Sequence, residues 1–313
     1  MNSMGQIYGP EAVDTGRLEV FKGIHAGQRA VIMGNGPSLN SMDLRFLGDE
    51  IVFGLNKIYL GFETFGFYPR YFVAVDDLVI AQAYDQIAEV SCVKFITHRA
   101  AGLLPATPLT FHINTDHSLP ERFYHDITTG VREGHTVMHA ALQIARYMGF
   151  REVVIIGMDH RFETNAGPNE VGYMNGPDPN HFTDSYFAGR DWNGPNLEQA
   201  EVSYSVARAA YEAEGRRIID ATPGGACTVF EKADYRTVFG LPESPPEAIT
   251  DAEAEARLRR RRMYNQQLAA LSAALTLHQA AATARAAELD RVYQSLSWRV
   301  TRPLRALRRW TGL

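Results

Sequence analysis

Cysteine is scarce: Cys92 and Cys227 are the only two in 313 residues. Two thiols cannot build a disulfide framework, so a reducing cytoplasm is the expected compartment. No Cys or His pairs stand at finger spacing, which excludes that class of zinc site. Long apolar runs are missing too. No stretch reaches the roughly 18–20 apolar residues that span a bilayer, and Met1–Gly16 lacks the basic start and apolar core of a signal peptide. The expectation is a protein neither transmembrane nor secreted by a visible signal. From Asp251 onward lysine is also absent. Asp251–Leu313 carries twelve arginines against five acidic residues, a net of about +7 in a chain whose total is −5. The body is therefore mildly acidic, and the basic tail is the part suited to an anionic surface.

What is present reads as an α/β protein. Hydrophobic residues make up 45% and charged residues 21%, enough apolar material for a full core. Short apolar runs at 29–33 (RAVIM), 51–55, 71–75, 93–97, 110–113, 153–156 and 217–221 predict strands. Thr136–Met148 places Val137, Ala140, Ala141, Ile144 and Met148 on one helical face, with Gly149 as its C-cap. Further helices are predicted at 197–214 and, briefly, at 230–238. Helices followed by strands apolar on both faces predict a Rossmann-like, mostly parallel sheet flanked by helices. The expected plan is an N-terminal extension (1–22), a nucleotide-binding transferase body (23–241), a linker (242–250) and a basic helical tail (251–313).

The stretch 161–196 is rich in Gly, Pro, Asn and Asp, yet carries Tyr173, His181, Phe182, Tyr186, Phe187 and Trp192. Disordered segments are poor in aromatics, so an ordered lid or substrate loop is expected. In the tail, Leu268, Leu271, Leu275, Ala282, Leu289, Val292 and Leu296 follow a 3–4 spacing that His278 and Arg285 interrupt. That seam suits a short coiled coil, hence a homo-oligomer, or a helix packed on the body. The segment Trp298–Leu313 interleaves Arg with Trp, Val and Leu. It suits a helix lying in the interface of an anionic membrane, peripheral on the inner face, or a solvated helix or oligomer contact. The acidic body argues against nucleic acid as a partner.

The strongest chemical signal is Gly34-Asn35-Gly36-Pro37-Ser38-Leu39 directly after a predicted strand. Glycines let backbone N–H groups approach a phosphate or ribose, and a following helix start favours negative charge. It is neither GxGxxG nor a P-loop ending in GK[ST]. Asn56, Asp76 and Asp159 each stand where a strand is expected to end, the side on which open parallel sheets bind ligands. Turn formation is the alternative role for each alone; as a set they suggest one site. His160 follows Asp159 and His181 lies in the aromatic loop, and either could take a proton from a hydroxyl; His135 is a weaker candidate. Asp76 and Asp77 are oxygen ligands of the kind that suit Mg²⁺, or simply solvated loop residues.

Gly34–Leu39, Asn56 in GLNKIY, Thr136 opening a helix, Gly149-Phe150 and the strand ending Ile156-Gly157-Met158-Asp159 together resemble the bacterial CMP-sialic-acid-dependent sialyltransferases of the lipooligosaccharide type. The same motifs are similar to a broader family that includes motility-associated flagellin glycosylation factors and archaeal 6-hydroxymethylpterin diphosphokinases. The resemblance runs from about Gly23 to Leu241. It implies nucleotide contacts from Gly34, Asn35, Gly36, Pro37, Ser38, Asn56, Thr136, Gly157 and Asp159, with Asp76 where the family often has Asn. It implies a histidine base, for which His181 is nearest, although Trp192 stands closer to the family's position. Tyr173 or Tyr186 would stand for its phosphate-binding tyrosines. The TDLDG and HAHGD motifs of the pterin enzymes are absent. The tail LDRVYQSLSWRVTRPLRALRRW resembles C-terminal ends of bacterial surface-polysaccharide glycosyltransferases. The resemblance thus implies an inverting transfer from a CMP-linked nonulosonate-type donor to a glycan or glycoprotein hydroxyl, with no cofactor or metal required. The alternatives are a Mg-ATP-dependent pterin diphosphokinase, with Asp76, Asp77 and Asp159 as metal ligands, and a non-catalytic nucleotide-binding scaffold of envelope assembly.

Overall fold

The computed structural model describes residues 15–164 and 166–242, with separate positions between Arg259 and Gln294. Residues 243–250 of the expected linker, most of the 3–4 seam and the proposed membrane-surface helix lie outside these residues. The chain divides into two units, Met1–Leu268 and Ala269–Leu313. In the second, the described positions are helical and exposed. No described helix is long and apolar enough to cross a membrane.

The first unit opens with a 3-10 helix, Thr15–Phe21, whose Leu18 and Phe21 are fully buried. Phe21 meets Phe95 and Phe111 edge-on, so part of the segment expected as an extension packs in the core. Then come β1 (Arg29–Met33), β2 (Val52–Leu55), the single turn α1 (Phe62–Phe65), β3 (Tyr71–Ala74), α2 (Asp77–Glu89), β4 (Val93–Thr97) and β5 (Thr110–Ile113). A short parallel pair, β6 (Thr115–Asp116) and β7 (Val131–Arg132), precedes α3 (Val137–Tyr147) and β8 (Glu152–Ile156). An antiparallel ribbon, β9 (Val171–Tyr173) and β10 (Asp191–Asn193), leads to α4 (Leu197–Glu212), β11 (Arg217–Asp220), β12 (Glu231–Lys232) and α5 (Tyr235–Phe239).

Eight strands form one sheet in the order β12-β11-β8-β1-β2-β3-β4-β5, every pair parallel. The sequence explains why. In β1 and β8 the apolar run has no polar alternation, and Ala30–Met33 and Val153–Ile156 are buried on both faces. Such strands are stable only between two helical layers. The Rossmann-like expectation holds. One element differs: the helix expected at 230–238 divides into β12, which extends the sheet from β11, and α5. Asp234 separates them, its carboxylate accepting from Thr237 N at 3.0 Å as an N-cap. The sequence reading also passed over α2, which Asp76 caps through Val79 N at 2.9 Å. Its Val79, Ile80, Ala83 and Ile87 form the buried stripe.

α3 is buried nearly all round, including two polar side chains. Gln143 accepts from Tyr124 N and Arg132 N and donates to Arg132 O and His139 O, so its cost is offset in full. His139 is fully buried, with Nε2 3.1 Å from Arg122 O. Burial lowers its pKa from 6.5 to about 4. Below pH 6.5 the unfolded chain therefore takes up a proton that the folded chain refuses. Stability should fall by about 1.4 kcal/mol per pH unit from 6.5 towards 4. Urea unfolding at pH 7 and pH 5 checks this: the wild type should lose about 2 kcal/mol more between them than His139→Gln. Equal losses in both proteins would remove His139 as the cause.

Candidate functional site

Strands β2 to β5 lie on one side of β1, and β8, β11 and β12 on the other, so chain order reverses between β1 and β8. The crevice beyond the carboxyl ends of these two strands is where an open parallel sheet accepts a ligand. Two glycine-bearing loops meet there. Gly34 N donates to Ile156 O at 2.8 Å and Gly36 N to Gly157 O at 2.9 Å. Gly157 has φ +69°, and a Cβ on Gly34 would overlap the Gly157 carbonyl. Asp159 locks the pair: its Oδ1 accepts from Ser38 N at 3.1 Å and its Oδ2 from Ser38 Oγ at 2.7 Å.

A cavity of about 680 Å³ stands over these loops, within the range of small-molecule sites. Three helices begin on its wall, with Asp76, Thr136 and Asn196 as N-caps of α2, α3 and α4. The first N–H groups of a helix have no internal acceptor and favour an anion. Asn35 and Asn56 present buried Oδ1 atoms without a hydrogen-bond donor. Asn35 Nδ2 donates to Leu55 O at 3.1 Å, which fixes the orientation of that amide. Backbone strain also converges here. Among the described residues, Asn56, His160 and Asn169 are the non-glycine positions with left-handed backbone, and all three line the cavity.

Two histidines on the wall are each backed by a carboxylate. His181 Nδ1 lies 2.8 Å from Oδ2 of Asp178, which is almost fully buried. Asp178 is itself held by Asn180 N and Phe187 N at 2.9 and 3.2 Å. The imidazole stacks on Tyr186 with centroids 3.8 Å apart. A carboxylate at Nδ1 keeps the proton there and leaves Nε2 as an acceptor. The loop after His181 is tied to the glycine loop by Phe182 N on Asn35 O at 2.9 Å. His160 Nε2 lies 3.0 Å from Glu201 Oε1. His135 Nδ1 has a longer contact, 3.3 Å, to Asn169 Oδ1.

The remaining wall is ionic. Arg99 Nε donates to both Asp77 oxygens at 3.0 and 2.8 Å, and Arg99 Nη1 lies 2.7 Å from Glu133 Oε1. Burial pushes the Glu133 carboxyl above its ordinary range, against the pull of Arg99. Outside the cavity lining, Lys57 fastens the aromatic loop: Nζ donates to Tyr186 O at 3.0 Å and stands over the Phe187 ring at 4.2 Å. Burial lowers its pKa from 10.5 to about 8.

Of the residues singled out in the sequence, Gly34, Asn35, Gly36, Asn56, Asp76, Thr136, Gly157, Asp159, His160, His181, Tyr186 and Trp192 line this one cavity. Pro37 and Ser38 do not; the Ser38 hydroxyl is engaged by Asp159. Tyr173 points outward from β9 at 62% exposure and is not on the wall. Tyr186 is buried and its hydroxyl accepts from Lys57 N at 3.2 Å, so it supports His181 rather than presenting a free phenol. Trp192 packs against Phe162 and Phe187. Asp76 accepts from Val79 N and Asn193 Nδ2, and Asp77 is spent on Arg99. Among the described residues no group of three His, Cys, Asp or Glu side chains is placed to hold a metal. Sequence reasoning missed Asp178, Glu201, Arg99 and Glu133. Only Asp178 left a local signal, three residues before His181.

A family model described as 6-hydroxymethylpterin diphosphokinase MptE-like matches residues 9–165. The match spans both loops at the switch point and ends before the His181 loop. No curated protein matches the chain. Among solved structures, the MAf glycosyltransferase from Magnetospirillum magneticum AMB-1 is similar at 12% identity and a TM-score of 0.43. The similarity covers 82% of this chain and 43% of that one, so this chain spans less than half of that protein's length.

Proposed function

Because the chain belongs to the 6-hydroxymethylpterin diphosphokinase MptE-like family, we propose that the crevice between β1 and β8 binds a nucleotide-activated donor and that the protein is a transferase. The donor we propose is a CMP-linked sugar of the nonulosonate type, and the acceptor a glycan or glycoprotein hydroxyl. The observation that carries this reading is the Asp178–His181 pair on the wall of the glycine-loop cavity. A buried carboxylate on Nδ1 leaves Nε2 free to take the proton of an acceptor hydroxyl. The oxygen so activated would displace the nucleotide from the sugar with inversion. The proton would reside on His181 and the negative charge on the departing phosphate, towards the helix N-termini. The bare Oδ1 atoms of Asn35 and Asn56 suit N–H or O–H donors on the nucleoside. Positioning and leaving-group electrostatics would supply most of the acceleration.

The pterin-diphosphokinase alternative requires Mg²⁺ on Asp76, Asp77 and Asp159. Each of these carboxylates already accepts from protein donors: Asn193 and Val79 N, Arg99, and Ser38 respectively. Metal binding would have to compete with those donors for the carboxylate lone pairs. Calorimetry on the full chain separates the readings. CMP should bind without metal, and ATP should not gain affinity from Mg²⁺. Mg²⁺-dependent ATP binding without CMP binding would transfer the assignment to the kinase, and binding of neither CMP nor ATP would favour a scaffold or a donor outside both classes.

A further inference from the structure

Resting on the nucleotide reading above, we infer that His160, braced by Glu201, is the residue that holds the phosphate of the bound nucleotide, a role separate from that of His181. The ring is nearly enclosed, with 6% of its side chain exposed, yet it lines the cavity. Its Nε2 faces Glu201 Oε1 at 3.0 Å and so carries a proton. Nδ1 makes no hydrogen bond to a described residue, which leaves it for a ligand.

The surroundings select the ligand's charge. His160 follows β8 with φ +55°, a turn that only a few non-glycine residues adopt. It stands beside Tyr204 of α4, ring centroids 6.0 Å apart. The Tyr204 hydroxyl in turn reaches Thr136 Oγ1, the N-cap of α3, at 3.4 Å. One tyrosine thus links His160 to the start of α3 and to the body of α4. Val137 and Leu197, the first residues of these helices, both line the cavity. Their N–H groups have no carbonyl partner inside the helix. Both caps are neutral, Thr136 and Asn196, and α3 has no acidic residue in its first turn, whereas α4 carries Glu198 there, so the start of α3 is the more favourable to an anion. α2 is different, because the Asp76 carboxylate occupies its start.

Of the other charges on the cavity wall, Asp159 is held by Ser38 and Arg99 is shared between Asp77 and Glu133; Arg161, exposed, gives one N–H to Gly224 O at 2.7 Å and is a second cation beside the ring. With Glu201 at Nε2 and a phosphate oxygen at Nδ1, two anions would flank the ring and hold a proton on each nitrogen, giving a charge-assisted hydrogen bond at both. His181 has other surroundings: its face is covered by Tyr186 in the aromatic loop, whereas Tyr204 ties His160 to the start of α3.

Calorimetry on the full chain tests the assignment with two matched pairs of probes, CMP against cytidine and ADP against adenosine. The wild type should bind each nucleotide more tightly than its nucleoside. His160→Asn, chosen because Asn tolerates the left-handed backbone, should weaken the nucleotide by roughly tenfold or more and leave the nucleoside unchanged. Glu201→Gln, which keeps an acceptor for Nε2 but removes its charge, should weaken the nucleotide by about threefold. Equal weakening of nucleotide and nucleoside, or of neither, overturns the phosphate role. If ADP binds and CMP does not, with the His160 effect intact, the CMP-sugar reading falls and the phosphate assignment stands. Failure of the wild type to bind any nucleotide overturns both.

Discussion

On the proposed reaction, replacing His181 with Gln should lower kcat for transfer from the CMP-linked donor by two to four powers of ten, the span that a positioned general base supplies. The nucleotide Kd should stay within about threefold, because the base meets the acceptor rather than the nucleotide. Asp178→Asn should be nearly as damaging, for a different reason. An amide N–H facing Nδ1 would move the ring proton to Nε2, the atom that must accept. Asp178 also accepts from Asn180 N and Phe187 N, so the same change loosens the loop that carries His181. Thermal unfolding beside the kinetics divides the two effects: His181→Gln should lose kcat with little loss of stability, and Asp178→Asn should lose both. Transfer by His181→Gln at the wild-type rate would place the base elsewhere in the cavity.

That prediction turns on a pair of which the sequence revealed one member. His181 stood out because it lies in the aromatic-rich loop, nearest to the place where the family resemblance implies a histidine base. Asp178 did not, because Asp in a Gly- and Pro-rich segment reads as a turn residue. Only packing shows that its carboxylate is buried and aimed at the ring. The strands were legible for the opposite reason: β1 and β8 must be apolar on both faces to lie in the middle of a parallel sheet, and that leaves an unbroken run. α2 was hidden because its start, Asp76-Asp77, looked like a metal or solvent-facing pair. In the fold Asp76 is a cap and Asp77 a partner for Arg99, 22 residues away. Glu201, Arg99 and Glu133 could not be found from the chain alone, since each acquires its role from an element distant in sequence. Tyr173 was over-read: alternation along β9 turns Gly172 towards Trp192 and sends Tyr173 out.

The switch point itself was the most legible feature, and it is also the most sensitive to a single methyl group. Gly34→Ala places a Cβ against the carbonyl of Gly157. This neighbour is backbone, part of the end of β8, so no side chain can swing aside. Relief requires β1 and β8 to part where Gly34 N bonds Ile156 O at 2.8 Å. Overpacking of this kind costs about 1–3 kcal/mol. It also moves the two loops on which the ligand would rest, so CMP affinity should fall by about a hundredfold or more. Gly36→Ala is the instructive comparison. Its Cβ would meet the Asp159 carboxylate, a side chain that can rotate away at the loss of its two bonds to Ser38, and would approach the Gly157 carbonyl to 2.9 Å, a milder overlap than the one at Gly34. A smaller destabilisation, about 1 kcal/mol, and a milder loss of affinity follow. Calorimetry and chemical unfolding of the two variants should therefore rank Gly34→Ala below Gly36→Ala in both affinity and stability. If Gly34→Ala unfolds more readily yet binds CMP as the wild type does, the nucleotide does not lie over the β1–β8 crevice. The three helix starts would then have to serve some other anion.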